Sequence, residues 1–400
     1  MLSVNKDILA EITPSVDELM QDSLSAARRH LGLEVSFISE FKDGRRIFRY
    51  VDAELNFCPV NVGDSDRLED SFCQRVVDGR LPALMTDARE IPEALTLSVT
   101  TELPIGAHIS VPIKIDDEVF GTFCCFSRSS QASLDDRDLA VVRLYADFVG
   151  RVLGRMVKAH KRARKLHVEI SRVLDENLFY VVYQPIFHIG TRKPVGYEVL
   201  TRFTAEPNQT PDRWFNDAAV VGLQAELELA VIRLALKEFK YFPEDVYLSF
   251  NLAAHSILDD RILHLFDDYS LHRIVLEVTE HESIDDYASV ASRLEPLRKQ
   301  GLRLAVDDAG AGYASFRHIL KLKPDIIKLD ASLVAAIDTD DSLRALASAL
   351  VRFADETGSK VIAEGVETEE VLEVLRQLNV NKAQGYLFGR PCALETLSLV

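Results

Sequence analysis

Leu302-Arg303-Leu304-Ala305-Val306-Asp307-Asp308 is a short apolar run that ends in two acids. Six more runs of this kind occupy the second half of the chain: Val182-Tyr183-Gln184, Pro194-Val195-Gly196-Tyr197-Glu198, Tyr247-Leu248-Ser249-Phe250-Asn251, Ile274-Val275-Leu276-Glu277, Ile326-Ile327-Lys328 and Val361-Ile362-Ala363-Glu364. Their β-branched and aromatic content predicts buried strands. Helix-like stretches lie between most of them, which predicts parallel strands with helical crossovers. The expected fold is an α/β TIM-like (β/α)8 barrel, whose strands all deliver their carboxyl ends to one face, where active sites are built. Glu198, Glu277, Asp307, Asp308, Glu364, Asn251 and Lys328 would meet on that rim. So many acids repel one another unless a cation sits among them, and hard oxygen donors select Mg²⁺ or Mn²⁺.

The chain has 400 residues, enough for two or three domains, and 47% hydrophobic content, enough for packed cores. A formal net charge of −17 argues against a duplex nucleic-acid binder. No apolar run approaches a membrane span and the first residues lack a signal-peptide core. The five cysteines include no Cys-x-x-Cys pair, so they are expected buried and reduced, in the cytoplasm.

Residues 1–31 read as helix, with Pro14 at a first helical position followed by Val16, Leu19, Met20, Leu24 and Ala27. Strands are expected at Val35–Phe41, Arg46–Tyr50, Leu84–Thr86, His108–Ile115 and Glu118–Phe126, the last two joined by a tight turn at Asp116-Asp117. Cys124 and Cys125 are neighbours in a strand and point to opposite faces. From Leu139 onward one long helix is predicted. Leu139, Val142, Ala146, Val149, Leu153 and Met156 follow the alternating spacing of a coiled-coil seam, continued weakly by His160, Ala163, His167, Ile170 and Leu174. This suggests a homodimer. The basic run Lys158–Lys165 on the same helix reads as a solvated surface.

Residues 15–153 resemble a GAF domain, through Ser71-Phe72-Cys73-Gln74-Arg75-Val76-Val77-Asp78-Gly79-Arg80-Leu81-Pro82, the stretch Ile105–Ile113 and Glu118-Val119-Phe120-Gly121-Thr122-Phe123. The resemblance implies a six-stranded antiparallel sheet with a pocket on one face for an unknown small ligand, and His108 as a hydrogen-bonded structural residue. The chain has no Cys-His dipeptide for bilin attachment.

Residues 168–400 resemble the EAL-domain cyclic di-GMP phosphodiesterases. The resemblance rests on Tyr183-Gln184-Pro185-Ile186, Glu198-Val199-Leu200-Thr201-Arg202, Ser249-Phe250-Asn251-Leu252, Glu277-Val278-Thr279-Glu280, Asp307-Asp308-Ala309-Gly310-Ala311-Gly312-Tyr313, Lys328-Leu329-Asp330, Ala363-Glu364-Gly365-Val366-Glu367-Thr368 and Gln384-Gly385-Tyr386. It implies hydrolysis of cyclic di-GMP to linear pGpG on one or two metal ions held by Glu198, Asn251, Glu277, Asp307 and Asp308. It further implies Lys328 beside the attacking water, Glu364 or Glu367 as the base, and Arg202 as a phosphate clamp. Gln184, Gln384 and Leu200 would contact the substrate, Glu280 would fasten the loop after Asp308, and Tyr386 would sit in the core. The domain organisation expected is 1–153 GAF-like, 139–174 helical connector and 168–400 EAL. The loop 309–314 departs from the family, with alanines where an aromatic and hydroxyls are usual. A weak or inactive cyclic di-GMP-binding signalling protein is therefore the alternative.

Overall fold

The computed structural model describes residues 15–54, 58–278, 284, 286–310 and 313–397. The chain divides into two compact units, Met1–Arg162 and Ala163–Val400. Helix α1 (Val16–Leu31) opens the first. Its cap is Ser15, whose hydroxyl accepts from the Glu18 amide while Glu18 reaches back to the Ser15 amide, a reciprocal capping box. Pro14 lies outside the described residues.

Strands β1 (Val35–Lys42), β2 (Arg45–Ala53), β3 (Ser65–Arg67), β4 (Leu84–Met85), β5 (His108–Ile115) and β6 (Glu118–Phe126) form an antiparallel sheet of six in the order β3-β2-β1-β6-β5-β4. β3 has no apolar residue and gives no periodic signal in the sequence. The β5–β6 turn places Asp116 at φ 50° and Asp117 at φ 65°, the paired left-handed geometry of a two-residue hairpin. Gly121 is obligatory: a Cβ there would lie 1.8 Å from the Ser39 carbonyl oxygen on β1.

One sheet face packs against helices, with Ile38, Ile109, Val111, Phe123 and Cys125 meeting Met20 and Leu24 of α1. The other face carries Phe37, Phe48, Cys124 and Phe126 against the short helix Phe72–Val77. Cys124 and Cys125 thus serve opposite faces, as strand alternation requires. His108 is buried, and its Nδ1 has no hydrogen-bond partner among the described residues, contrary to the hydrogen-bonded role expected for it.

Helix α2 (Asp136–Asp175) is 40 residues long. Leu139, Val142, Ala146 and Val149 are buried in the core of the first unit. This corrects the coiled-coil expectation over that stretch, because the seam is covered by the chain's own sheet and requires no partner helix. Ile170 and Val173, near the other end of α2, are buried in the core of the second unit. Between them Lys158, Lys161, Arg162, Arg164 and Lys165 are exposed, as a solvated basic surface should be. No described helix is long and apolar enough to cross a membrane.

The second unit is a closed barrel. Its strands are β7 (Phe179–His188), β8 (Lys193–Phe203), β9 (Tyr247–Asn251), β10 (Ile274–Val278), β11 (Arg303–Ala309), β12 (Ile326–Leu329), β13 (Lys360–Ala363) and β14 (Lys382–Gln384). Helices α3 (Pro211–Val220) and α4 (Gln224–Glu238) connect β8 to β9. Helices α5 (Tyr287–Lys299), α6 (Tyr313–Leu322), α7 (Asp341–Thr357) and α8 (Glu369–Gln377) make the later crossovers. The strands from β8 to β14 run parallel, but β7 is antiparallel to both its neighbours, β8 and β14. All-parallel pairing was expected. Residues 189–192 alone join β7 to β8, too few for the crossover that parallel strands demand.

Candidate active site

The strand ends gather at one mouth of the barrel, around Lys328. Its ammonium lies 2.7 Å from Glu277 Oε2, 2.7 Å from Glu364 Oε1, 3.1 Å from Asp307 Oδ1 and 3.6 Å from Glu198 Oε2. Each partner comes from a different strand or its immediate end. Glu198 is on β8, Glu277 on β10 and Asp307 on β11, while Glu364 directly follows β13. Lys328 itself, on β12, is fully buried. Asp330, by contrast, caps the short helix Ala331–Val334 through Ser332.

Amides hold the carboxylates in place. Asn251 Nδ2 donates to Glu198 Oε1 over 3.0 Å, and Gln384 Nε2 donates to Glu198 Oε2 over 2.6 Å. The same Gln384 nitrogen lies 3.0 Å from Gln184 Oε1. Gln184 reaches this layer from mid-strand, paired with Glu198, although β7 runs the other way. Ser249 donates its hydroxyl to Glu277. Ser249 had no assigned role in the sequence, yet it precedes Asn251 by two residues on β9 and so shares its face.

Asp307 and Asp308 sit where the β11–β12 pairing shifts register. Asp308 has φ 54°, a left-handed conformation that aspartate tolerates better than most side chains. Such a bulge re-aims side chains, and bulges concentrate beside active sites. Here it directs two consecutive acids to the mouth. One ligand oxygen from each of Glu198, Glu277 and Asp307 falls within 4.8 Å of the others, and the same holds for Asp307, Asp308 and Glu364. Asp307 belongs to both groups. Two oxygen-only sites sharing a carboxylate suit a pair of hard divalent cations.

Four carboxylates face one ammonium, so full ionisation would leave three negative charges in excess. Burial acts upward on Glu198, but Lys328 and the Gln384 and Asn251 amides outweigh it and hold its pKa below the ordinary value. Burial, opposed by Lys328 and reinforced by Glu198 and Asp307, pushes Glu277 up to about 8. Burial likewise pushes Glu364 well above the usual carboxylate range, against the pull of Lys328. For Lys328, burial alone would favour the neutral amine, and the ring of acids keeps it charged. The mouth relieves its excess charge by retaining protons, which a divalent cation can displace.

A family model described as EAL domain matches residues 167–391. The chain belongs to the EAL-domain family. A second model, described as GAF domain, matches residues 13–153. A probable cyclic di-GMP phosphodiesterase, PdeA of Escherichia coli (strain K12), is 32% identical over 233 residues, covering 56% of this chain and 32% of that protein. The cyclic di-GMP phosphodiesterase NbdA of Pseudomonas aeruginosa is 30% identical over 265 residues, covering 63% of this chain and 33% of that protein. The chain therefore spans about a third of the length of these curated relatives. Among solved structures, the PaMucR phosphodiesterase in complex with c-di-GMP matches with a TM-score of 0.52 at 26% identity, covering 58% of this chain and 98% of that one.

Within the EAL barrel, Glu198, Leu200 and Arg202 share one face of β8. Leu200 and Arg202 are half-buried, and Arg202 Nη1 rests on the Thr201 carbonyl at 2.7 Å. Glu367 departs from its expected place. It is exposed and takes no part in the Lys328 ion pairs or in either carboxylate group. The chain turns away at Gly365, φ 64°, and the Val366 amide is then pinned to the Gln384 carbonyl at 3.0 Å. Tyr386, expected in the core, is 50% exposed with the Arg390 guanidinium 4.0 Å from its ring centre. Glu280, the expected loop anchor, lies outside the described residues, as do Ala311 and Gly312.

Proposed function

We propose that the EAL barrel hydrolyses cyclic di-GMP to linear pGpG with Mg²⁺ or Mn²⁺. The observation that carries this reading is the ring of Glu198, Glu277, Asp307 and Glu364 around Lys328 at one mouth. Membership of the EAL family and the phosphodiesterase names of the relatives support the substrate. Glu198, Asn251, Glu277 and Asp307 would hold one ion, and Asp307, Asp308 and Glu364 a second. When bound, the ions would neutralise phosphate charge and acidify water beside them.

The chain's own residues do the rest. Arg202 offers a planar guanidinium fork to a phosphate oxygen of the substrate. Gln184 and Gln384 present amides, and Leu200 an apolar surface, to the nucleotide. Lys328 supplies a fixed positive charge where negative charge develops on the phosphorus-bound oxygens. Glu364, with its oxygen 2.7 Å from Lys328, accepts the proton of the attacking water once its own has been displaced by the ions. The new bond joins water oxygen to phosphorus. The bond to the ribose 3′ oxygen breaks, and that oxygen takes a proton from solvent as it leaves, while Glu364 returns its own to solvent. The GAF-like unit would regulate this step, and the chain would act as a homodimer.

The test is direct. Purified full-length protein incubated with Mn²⁺ and cyclic di-GMP should yield pGpG by chromatography, and Glu198→Ala should not. Tight binding without any pGpG over hours would overturn hydrolysis and leave a receptor.

A further inference from the structure

The first unit holds a group of reactive chemistry that the phosphodiesterase reading does not use. Cys73, on the short helix Phe72–Val77, and Cys124, on β6, are both fully buried with their sulfurs 3.4 Å apart. Arg46, itself only 7% exposed, directs Nη1 at Cys73 Sγ over 3.2 Å. Its other nitrogens engage Asp66, and its guanidinium packs over Phe37 and Phe48. Cys124 Sγ in turn contacts the hydroxyls of Ser110 and Thr122, each at 3.1 Å. A buried guanidinium on one sulfur, with a second thiol and two hydroxyls behind it, forms a polar chain through an otherwise aromatic core.

We propose that Cys73 and Cys124 are a redox-active pair, in which Cys73 reacts with a hydroperoxide and Cys124 resolves it to a disulfide. Burial acts upward on the Cys73 thiol, but the Cys124 hydrogen bond and the Arg46 charge outweigh it and bring its pKa to about 5. Burial, with Cys73 as neighbour, drives Cys124 the other way, well above the ordinary thiol range. One nucleophile and one proton donor therefore stand side by side. A cavity of about 280 Å³ is walled in part by Phe72, His108 and the Arg46 guanidinium that touches Cys73 Sγ; neither cysteine lines it, so a small oxidant would reach the sulfur by passing Arg46.

The chemistry balances. The Cys73 thiolate attacks one peroxide oxygen, the S–O bond forms and the O–O bond breaks. The departing hydroxide takes the Cys124 proton and leaves as water. The Cys124 thiolate then attacks the sulfenic sulfur of Cys73. The S–S bond forms, the S–O bond breaks, and a second hydroxide leaves as water after protonation from solvent. Two thiols and one hydrogen peroxide become one disulfide and two waters. Peroxide is the oxidant and both sulfurs are oxidised.

The experiment uses the reduced full-length chain at pH 7 with hydrogen peroxide at a few equivalents. Free thiols are then blocked and cysteine peptides are read by mass spectrometry. A Cys73–Cys124 link should form at least about tenfold faster than oxidation of the exposed Cys58, with Cys125 untouched. In Cys124→Ser the reaction should stop at a Cys73 sulfenic acid, trapped by dimedone. Arg46→Lys should slow it less than Arg46→Gln. Cys73 remaining a free thiol while Cys58 is oxidised, in folded wild-type protein, would overturn the proposal. So would linkage of Cys73 to any cysteine but Cys124.

Discussion

Lys328 is the residue on which the barrel mouth depends. Removing one partner from a buried ion cluster leaves uncompensated charge and is strongly destabilising. Lys328→Met should therefore lower the stability of the second unit by about 3 kcal/mol or more in chelator, read by urea unfolding, and Mn²⁺ should recover part of the loss. If the variant in chelator matched wild type, the cluster would be held by protons alone. The two candidate bases separate in the same way. Glu364 touches Lys328 and Glu367 is exposed outside the cluster. Glu364→Gln should reduce turnover by about 10²-fold or more. Glu367→Gln should leave turnover nearly unchanged, and equal losses would return Glu367 to the chemistry. The acids of the mouth, with Gln184 and Asn251, were readable because each closes a short apolar run; Gln384 was readable only through the family resemblance. Ser249 was readable in principle from its spacing to Asn251. Asp307 and Asp308 were readable as well, but the register shift at which they sit was not, because strand pairing depends on the partner strand and leaves no mark in the run itself.

At the scale of elements, a strand is visible in sequence only if it has enough apolar residues to show a period. β14, Lys382–Gln384, has a single apolar residue and β3 has none, so neither could be found. The direction of β7 was encoded in the short connection to β8 rather than in β7. The heptads of α2 show how one pattern serves two structures. A stripe of Leu139, Val142, Ala146 and Val149 fits a partner helix or a sheet face equally well, and here the sheet takes it. Val142→Ala should thus destabilise the first unit by about 2 kcal/mol while light scattering shows no change in oligomeric state. Dissociation of a dimer in that variant would restore the coiled-coil reading.

His108 on β5 gives the first unit a pH dependence. Burial, with Arg46 nearby, depresses its pKa to about 3, whereas an unfolded histidine titrates near about 6.5. Between those values the unfolded chain binds a proton that the folded one rejects, so stability is fully present above about 6.5 and declines as pH falls toward 3. His108→Asn should flatten that limb by one proton, measured as the difference in unfolding free energy between the two proteins across pH 6.5 to 4. Parallel curves would show that His108 is protonated in the folded state.

For the molecule as a whole, two separate cores imply two separately addressable stabilities. A ligand that binds only the folded form of one unit raises that unit's stability, by about 2.7 kcal/mol at a hundred times its dissociation constant. In calorimetry of the full chain, Mn²⁺ should raise the transition that Lys328→Met alters and leave the transition that Val142→Ala alters in place. A shift of both by the same amount would mean that the cores unfold as one.

The reversed strand has a last consequence. In a barrel of wholly parallel strands, the polypeptide comes in at the floor, remote from the reacting groups. Here β7 starts beside the finish of β8, with Phe179 opposite Phe203, Tyr180 opposite Arg202 and Val182 opposite Leu200. The tail of α2 is tied there too, Arg172 Nη2 lying 3.1 Å from the Glu206 carbonyl. The long helix thus reaches the rim of the barrel where β7 begins, and Arg202 lies on the second rung of that ladder. A twist of that helix would bear on Ile170 and Val173 in the barrel's core and, through the first rungs of the β7–β8 ladder, on Arg202 and Leu200.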